Sequence, residues 1–243
     1  MAVEIRKGFH QSLDEVGHDI VRLAGMVTEA LGKATEALLA GDLRVAEEII
    51  TNDDVIDALT LDIEERCYHL LTLQQPMATD LRQVVTALRL TAEIERSGDL
   101  VANIMKANRR MYGREVDPVL RGLIKRLGEQ VHRSFQLAID AYVERDESLA
   151  AAIDDIDDDI DELHVQYIQA IFERHGEGRA ALQLSVQLAM VGRFYERIGD
   201  HAVNIGERVV YMVTGWLPEH SGVARQAVRK ADGDAGSSPL GGG

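Results

Sequence analysis

Apolar residues in this chain recur at alternating spacings of three and four over long stretches, and the alternation of a strand is absent. That period is the one an α-helix needs to bury a single face. One such series runs Ala46, Ile49, Asp53, Ile56, Thr60, Ile63, Cys67, and another runs Ala150, Ile153, Asp157, Ile160, His164, Tyr167, Ile171. Punctuation divides the pattern into six helices. Gly41 and Asp42 separate a helix of about residues 5–40 from one of about 43–73, with Asp42 as N-cap, and Asp146 repeats that signal before the fifth helix. The loop Gln75-Pro76-Met77-Ala78-Thr79 precedes Asp80, which with Gln83 reads as a capping box for the third helix. Asp117 before Pro118 opens the fourth helix, Gly176 and Gly178 end the fifth, and the sixth runs from about Arg179 to Thr214, stopped by Gly215.

The chain also resembles itself. At an offset of 104, Val27, Ala34, Asp42, Ile49, Asp53, Asp54, Ile56, Asp57 and Leu59 meet Val131, Ala138, Asp146, Ile153, Asp157, Asp158, Ile160, Asp161 and Leu163. At an offset of 101, Glu95, Arg96, Gly98, Asp99, Asn103 and Ile104 meet Glu196, Arg197, Gly199, Asp200, Asn204 and Ile205. A duplicated unit of three helices follows. The fold class expected is all-α, two tandem three-helix bundles related by internal pseudo-symmetry. The first repeat is expected at 5–112, the second at 117–217, and a disordered Gly/Ser-rich tail at 218–243.

Composition narrows the function. The single cysteine, Cys67, excludes an intramolecular disulfide and a thiolate metal cluster and fits a reducing compartment. The N-terminus has no apolar signal core, and no run of about 18 apolar residues could span a bilayer. A net charge of −15 argues against nucleic acid as a partner. The charge is concentrated: residues 42–65 carry nine acidic and one basic residue, and residues 146–177 carry eleven and one.

Those blocks supply the candidate chemistry. Asp53 and Asp157 interrupt their apolar series at equivalent places, with Asp57 and Asp161 one turn further along the same face. On the third helix the series Leu81, Val85, Leu88, Ala92 continues into Glu95 and Asp99; on the sixth, Leu182, Val186, Ala189, Arg193 continues into Glu196 and Asp200. These carboxylates are expected to face inward, where ionised groups need protonation, arginine pairing or a metal. Arg193 has no explanation from the pattern beyond charge pairing. Asn103 and Asn204, another turn along, are candidate neutral oxygen ligands. An all-oxygen set suits Mg²⁺, Mn²⁺, Ca²⁺ or iron. Gly98 and Gly199 would let a backbone or a metal-bound water come close. A single D-x-x-x-D is an ordinary solvated face; two at equivalent positions favour metal. Glu15 with His18 and Glu129 with His132 read E-x-x-H, the ligand pair of ferritin-like enzymes, but are not repeat-equivalent. His10, His69, His164 and His201 lack partners at metal or catalytic spacing and read as surface or helix-packing residues. No phosphate-binding glycine loop, nucleophile elbow or Ser/His constellation is present, so no catalytic residue is assigned.

Glu95-Arg96-Ser97-Gly98-Asp99, Glu196-Arg197-Ile198-Gly199-Asp200, Pro76-Met77-Ala78-Thr79-Asp80-Leu81-Arg82 and Asn204-Ile205-Gly206-Glu207 resemble the signature of the PhoU family over about residues 5–217. The resemblance implies two three-helix bundles, metal clusters on the E-x-x-x-D and D-x-x-x-D helices, and homodimerisation. The cations expected are iron, magnesium, manganese or zinc. It further implies a cytoplasmic negative regulator of phosphate uptake and of the phosphate-starvation response, not an enzyme. Such a regulator is expected at the inner face of the membrane through protein partners, coupling the ATPase of the phosphate ABC transporter to a phosphate-sensing histidine kinase. The competing class is a carboxylate-bridged metalloenzyme, ferritin-like or phosphate-processing.

Overall fold

The computed structural model describes residues 2–74, 76–174, 176 and 178–216. In chain order it contains α1 (Ala2–Ala40), α2 (Leu43–Gln74), α3 (Thr79–Met111), α4 (Pro118–Glu144), α5 (Glu147–Glu173) and α6 (Arg179–Thr214). No strand occurs among the described residues. The tail expected at 218–243 lies outside them.

Most helix starts follow from local chemistry. Asp42 Oδ1 accepts from the Arg44 and Val45 amides at 2.8 and 3.1 Å, and Asp146 Oδ1 does the same for Ser148 and Leu149 at 2.7 and 3.1 Å. Asp117 Oδ1 accepts from Val119 N at 2.8 Å, with Pro118 in the first turn where a missing N–H costs nothing. Gly215 closes α6 in the left-handed region at φ 78°. Two expectations are corrected. The capping box at Asp80 does not form: α3 begins at Thr79 after Ala78, which has φ 49° and makes no side-chain cap, and Asp80 instead lies 3.5 Å from His10 of α1. α5 ends at Glu173 with Arg174 as its cap, ahead of the glycines; Gly178 stands at the start of α6.

α1, α2 and α3 pack together as one bundle and α4, α5 and α6 as a second. The bundles join through α3 against α6 and α1 against α4, while α2 and α5 stay on the outer flanks and touch only their own bundle. α3 and α6 are antiparallel, since Gly215 abuts Arg82 and Glu93 meets His201 and Asn204. α1 and α4 cross closely where Gly128 lies under Thr35, whose hydroxyl is 2.9 Å from the buried Tyr195 hydroxyl of α6. One apolar core runs through both bundles, with Ile20, Leu23, Leu31, Ile63, Ile94, Phe135, Tyr167 and Tyr195 sealed from solvent.

The apolar members of the inward series expected on α2 and α5 are buried, Cys67 included, and Asp53, Thr60, Asp157 and His164 are half-buried among them. On α3 and α6 it is not. The core face of α3 carries Val84, Ala87, Thr91, Ile94, Gly98 and Val101, and that of α6 carries Leu188, Val191, Tyr195, Ile198, Ala202 and Ile205. The series from Leu81 to Asp99 and from Leu182 to Asp200 lies one residue round the helix, on the outward side, with Leu81, Leu182 and Val186 exposed. The reason is topological. α3 packs against α1, α2 and α6, and α6 against α3, α4 and α5, so each buries a broad arc that admits polar residues, Thr86, Thr91, Ser97 and Asn108 on α3 and His201 on α6, and apolarity alone does not mark that arc.

Candidate metal centre

The four carboxylates of each repeat meet at an outer groove between antiparallel helices. In the first repeat α2 brings Asp53 and Asp57 against Asp99 and Glu95 of α3; in the second, α5 brings Asp157 and Asp161 against Asp200 and Glu196 of α6. Asp53 and Glu95 are half-buried and Asp57 and Asp99 exposed, and the second repeat repeats that division. Mutual repulsion records their closeness. The Asp53 carboxyl is raised by burial first, then by Asp99 and Asp57, with Lys106 opposing. Glu95 is raised by burial, then by Asp99 and Asp57, against Arg96. Asp157 is pushed up to about 7 by burial, then by Asp200, Asp161, Asp154 and Glu196. Like charges gathered on one groove disfavour ionisation.

The two grooves differ in detail. A Cβ on Gly98 would reach only ordinary contact with Ile56 and Val27, whereas one on Gly199 would come within 2.8 Å of Asp157 Oδ1. That oxygen is buried with no hydrogen-bond partner, and so is Glu196 Oε2. Glu196 Oε1 is held by Arg193, which accounts for the arginine that the sequence pattern left unexplained. Both are buried acceptors without a protein donor, an arrangement whose desolvation a bound cation would offset. In the side-chain positions of the structure no three of the described His, Cys, Asp and Glu residues converge on one point, so a bound ion requires the carboxylates to turn about their side-chain bonds.

The asparagines divide. Asn103 is half-buried on α3, one turn past Asp99. Asn204 turns away from the carboxylates of its own repeat: its Nδ2 donates to Glu93 Oε2 of α3 at 3.1 Å. His201, read from sequence as a surface or packing residue without a partner, is buried, and its Nδ1 lies 2.5 Å from the same Glu93 oxygen. Burial acts to raise Glu93, but hydrogen bonds from His201 and Asn204 and the charges of His201 and Arg96 outweigh it and hold its carboxyl low. This polar knot ties the repeats together. A signal for it existed in the sequence: the repeat equivalents of Glu93 and His201 are Phe194 and Leu100, so each position is polar in one copy and apolar in the other, Glu93 in the first repeat and His201 in the second.

The E-x-x-H pairs do not assemble. Glu15 is exposed beside Gln11, and Glu129 is exposed beside Lys125. His132 sits against Gly32 of α1, about 20 Å along that helix from His18 at 1.5 Å per residue.

These features define a class: a duplicated six-helix protein with a carboxylate groove on each outer flank. A family profile described as PhoU domain matches residues 20–107 and 124–209. The phosphate-specific transport system accessory protein PhoU homolog 1 of Mycobacterium tuberculosis is 35% identical over 215 residues, covering 88% of this chain and 96% of its own. The PhoU homolog 1 of Thermotoga maritima is 30% identical over 207 residues, covering 85% and 89%. The crystal structure of PhoU from Pseudomonas aeruginosa superposes with a TM-score of 0.81 at 27% identity, over 86% of this chain and all of that one. That of the phosphate transport system regulatory protein PhoU from Streptococcus pneumoniae does so at 0.79 and 28%, over 86% and 98%. The chain belongs to the PhoU family.

Proposed function

We propose that this protein is a regulatory accessory subunit of a phosphate-specific transport system. In this reading it restrains uptake and the phosphate-starvation response when phosphate is plentiful, by contacting the transporter's ATPase and a phosphate-sensing histidine kinase. The observation that carries the reading is similarity over both repeats, nearly end to end, to proteins named as accessory or regulatory components of phosphate transport. None of the described helices is long and apolar enough to cross a membrane. A surface of this net charge is repelled by anionic lipid, so membrane association in this reading goes through protein partners at the cytoplasmic face. Repeats at 5–112 and 117–217, and a homodimer, are part of it.

Metal belongs to the same proposal. Asp53, Asp57, Glu95 and Asp99 would hold one group of cations and Asp157, Asp161, Glu196 and Asp200 another. The cations would neutralise the repulsion and clamp α2 to α3 and α5 to α6. The unpartnered oxygens of Asp157 and Glu196 support this fit. With carboxylates and no accompanying nucleophile or acid–base pair assigned, the metal role proposed is structural, and the protein a regulator instead of an enzyme.

Deleting the gene, together with any paralogue, is expected to derepress phosphate-starvation genes in phosphate-rich medium, and the tagged protein is expected to co-purify with the transporter ATPase and the kinase. Unchanged expression with neither partner recovered refutes the regulatory reading.

A further inference from the structure

The two grooves are ladders of opposed residues, and the ladders differ at one rung. Asp53 faces Asp99 and Asp57 faces Glu95; Asp157 faces Asp200 and Asp161 faces Glu196. One turn further, Thr60 follows Asp57 in the first repeat, and in the second His164 follows Asp161 and lies near Arg193. The offsets of 104 and 101 make Thr60 and His164, and Ala92 and Arg193, repeat-equivalent.

Each rung holds a buried polar atom that nothing satisfies. Thr60 Oγ1 and His164 Nε2 are both sealed from solvent without a hydrogen-bond partner. His164 follows Asp157 by seven residues and Asp161 by three, which puts the three side chains on one face of α5. Across the groove Gly192 makes room first for the Tyr167 ring, 2.6 Å from where a Cβ would stand, and then for His164, whose Cδ2 would lie 3.2 Å away. A histidine kept only for packing gains nothing from a sealed, unpaired ring nitrogen, because such an atom costs its full desolvation. With Asp157 Oδ1 and Glu196 Oε2, the second groove therefore presents two oxygens and one nitrogen that lack a partner. None of the four carboxylates of the first groove has such an atom.

We propose that His164 is a nitrogen ligand of the second groove, so that the two repeats hold chemically different metal sites. The first is all-oxygen and suits Mg²⁺ or Mn²⁺, while the second mixes imidazole with carboxylate and favours a borderline transition cation such as Zn²⁺, Fe²⁺ or Co²⁺. The proposal rests on the metal reading above. Arg193, pairing with Glu196 of the neighbouring rung, supplies positive charge to the second groove, which a bound cation would replace.

The test uses the full chain with Glu95→Ala and Asp99→Ala, leaving only the second groove, loaded with Mn²⁺ and labelled with ¹⁵N-histidine. Pulsed EPR is expected to detect a directly bound histidine nitrogen, and His164→Thr, which installs the first repeat's own residue, is expected to abolish that coupling. The same substitution is expected to weaken Zn²⁺ binding by about tenfold or more and to change Mg²⁺ binding little. Mn²⁺ bound with no histidine coupling in the labelled, His164-containing protein overturns this proposal and leaves the metal reading intact, and it needs no His164 variant to fold. Coupling that persists in folded His164→Thr overturns it too. Absence of any bound metal, both here and in the unsubstituted chain, overturns both.

Discussion

At the scale of single residues, the second groove is a strained collection of carboxylates, and Asp157 is its focus. Its carboxyl is pushed up to about 7 by burial, then by Asp200, Asp161, Asp154 and Glu196, whereas in the unfolded chain it titrates near 3.8. Between those values the folded protein holds a proton that the unfolded chain has released. Its contribution to stability is therefore full below about pH 4 and is lost as pH rises through about 7. Glu93 has the opposite sign, but its window lies below its ordinary value of 4.5 and so below the pH 5 to 8 comparison; His164, lowered from 6.5 by burial and then by Arg193, also opposes Asp157 and does so only below about 6.5. Metal-free protein is accordingly expected to melt at lower temperature at pH 8 than at pH 5. Asp157→Asn, which removes the charge and keeps the shape, is expected to raise the metal-free melting temperature at pH 8, with a smaller gain at pH 5. Thermal melts of chelator-treated protein decide this. Equal gains at both pH values would show that ionisation of Asp157 is not the cause.

At the scale of elements, what joins the repeats is close helix contact as much as apolar area. A Cβ on Gly128 would stand 2.6 Å from both Oγ1 and Cγ2 of Thr35. The Thr35 hydroxyl donates back to Leu31 O at 3.1 Å while engaging Tyr195, so the branched side chain has little room to rotate. Gly128→Ala gains about 1 kcal/mol of helix propensity and loses about 1–3 kcal/mol to overpacking. The loss is expected to dominate, with a net destabilisation of about 1 kcal/mol in denaturant titration. The control Gly122→Ala, on the same helix with open space around it, is expected to stabilise. Stabilisation by both substitutions would mean that α1 and α4 part easily.

At the scale of the whole molecule, duplication assigns one groove to each flank, on helices that touch only their own bundle. Chelation is expected to lower thermal stability, because bound metal favours only the folded state. Glu95→Ala with Asp99→Ala is expected to remove about half of the bound metal and leave the rest, and Glu196→Ala with Asp200→Ala to remove the complementary half. Elemental analysis of the reloaded variants separates the two groups. Loss of all metal from either variant would indicate one shared site across the repeats.

The boundaries of the helices were legible because caps are local: Asp42, Asp117 and Asp146 each satisfy amides two or three residues away. Asp80 misled because the helix starts one residue earlier, at Thr79, which puts Asp80 inside the first turn instead of at the cap. The duplication, the pairing of carboxylates within each repeat and the burial of Cys67 followed from period and offset, which geometry converts directly into a shared face. Which way α3 and α6 turn that face did not. A helix packed on several sides buries polar and small residues with apolar ones, so the line from Leu81 to Asp99 looked like core and lies at the surface. The link of His201 and Asn204 to Glu93 joins residues more than a hundred positions apart. Only the packing of one repeat on the other brings them together, because no local periodicity carries the register between two helices that meet through tertiary contact alone.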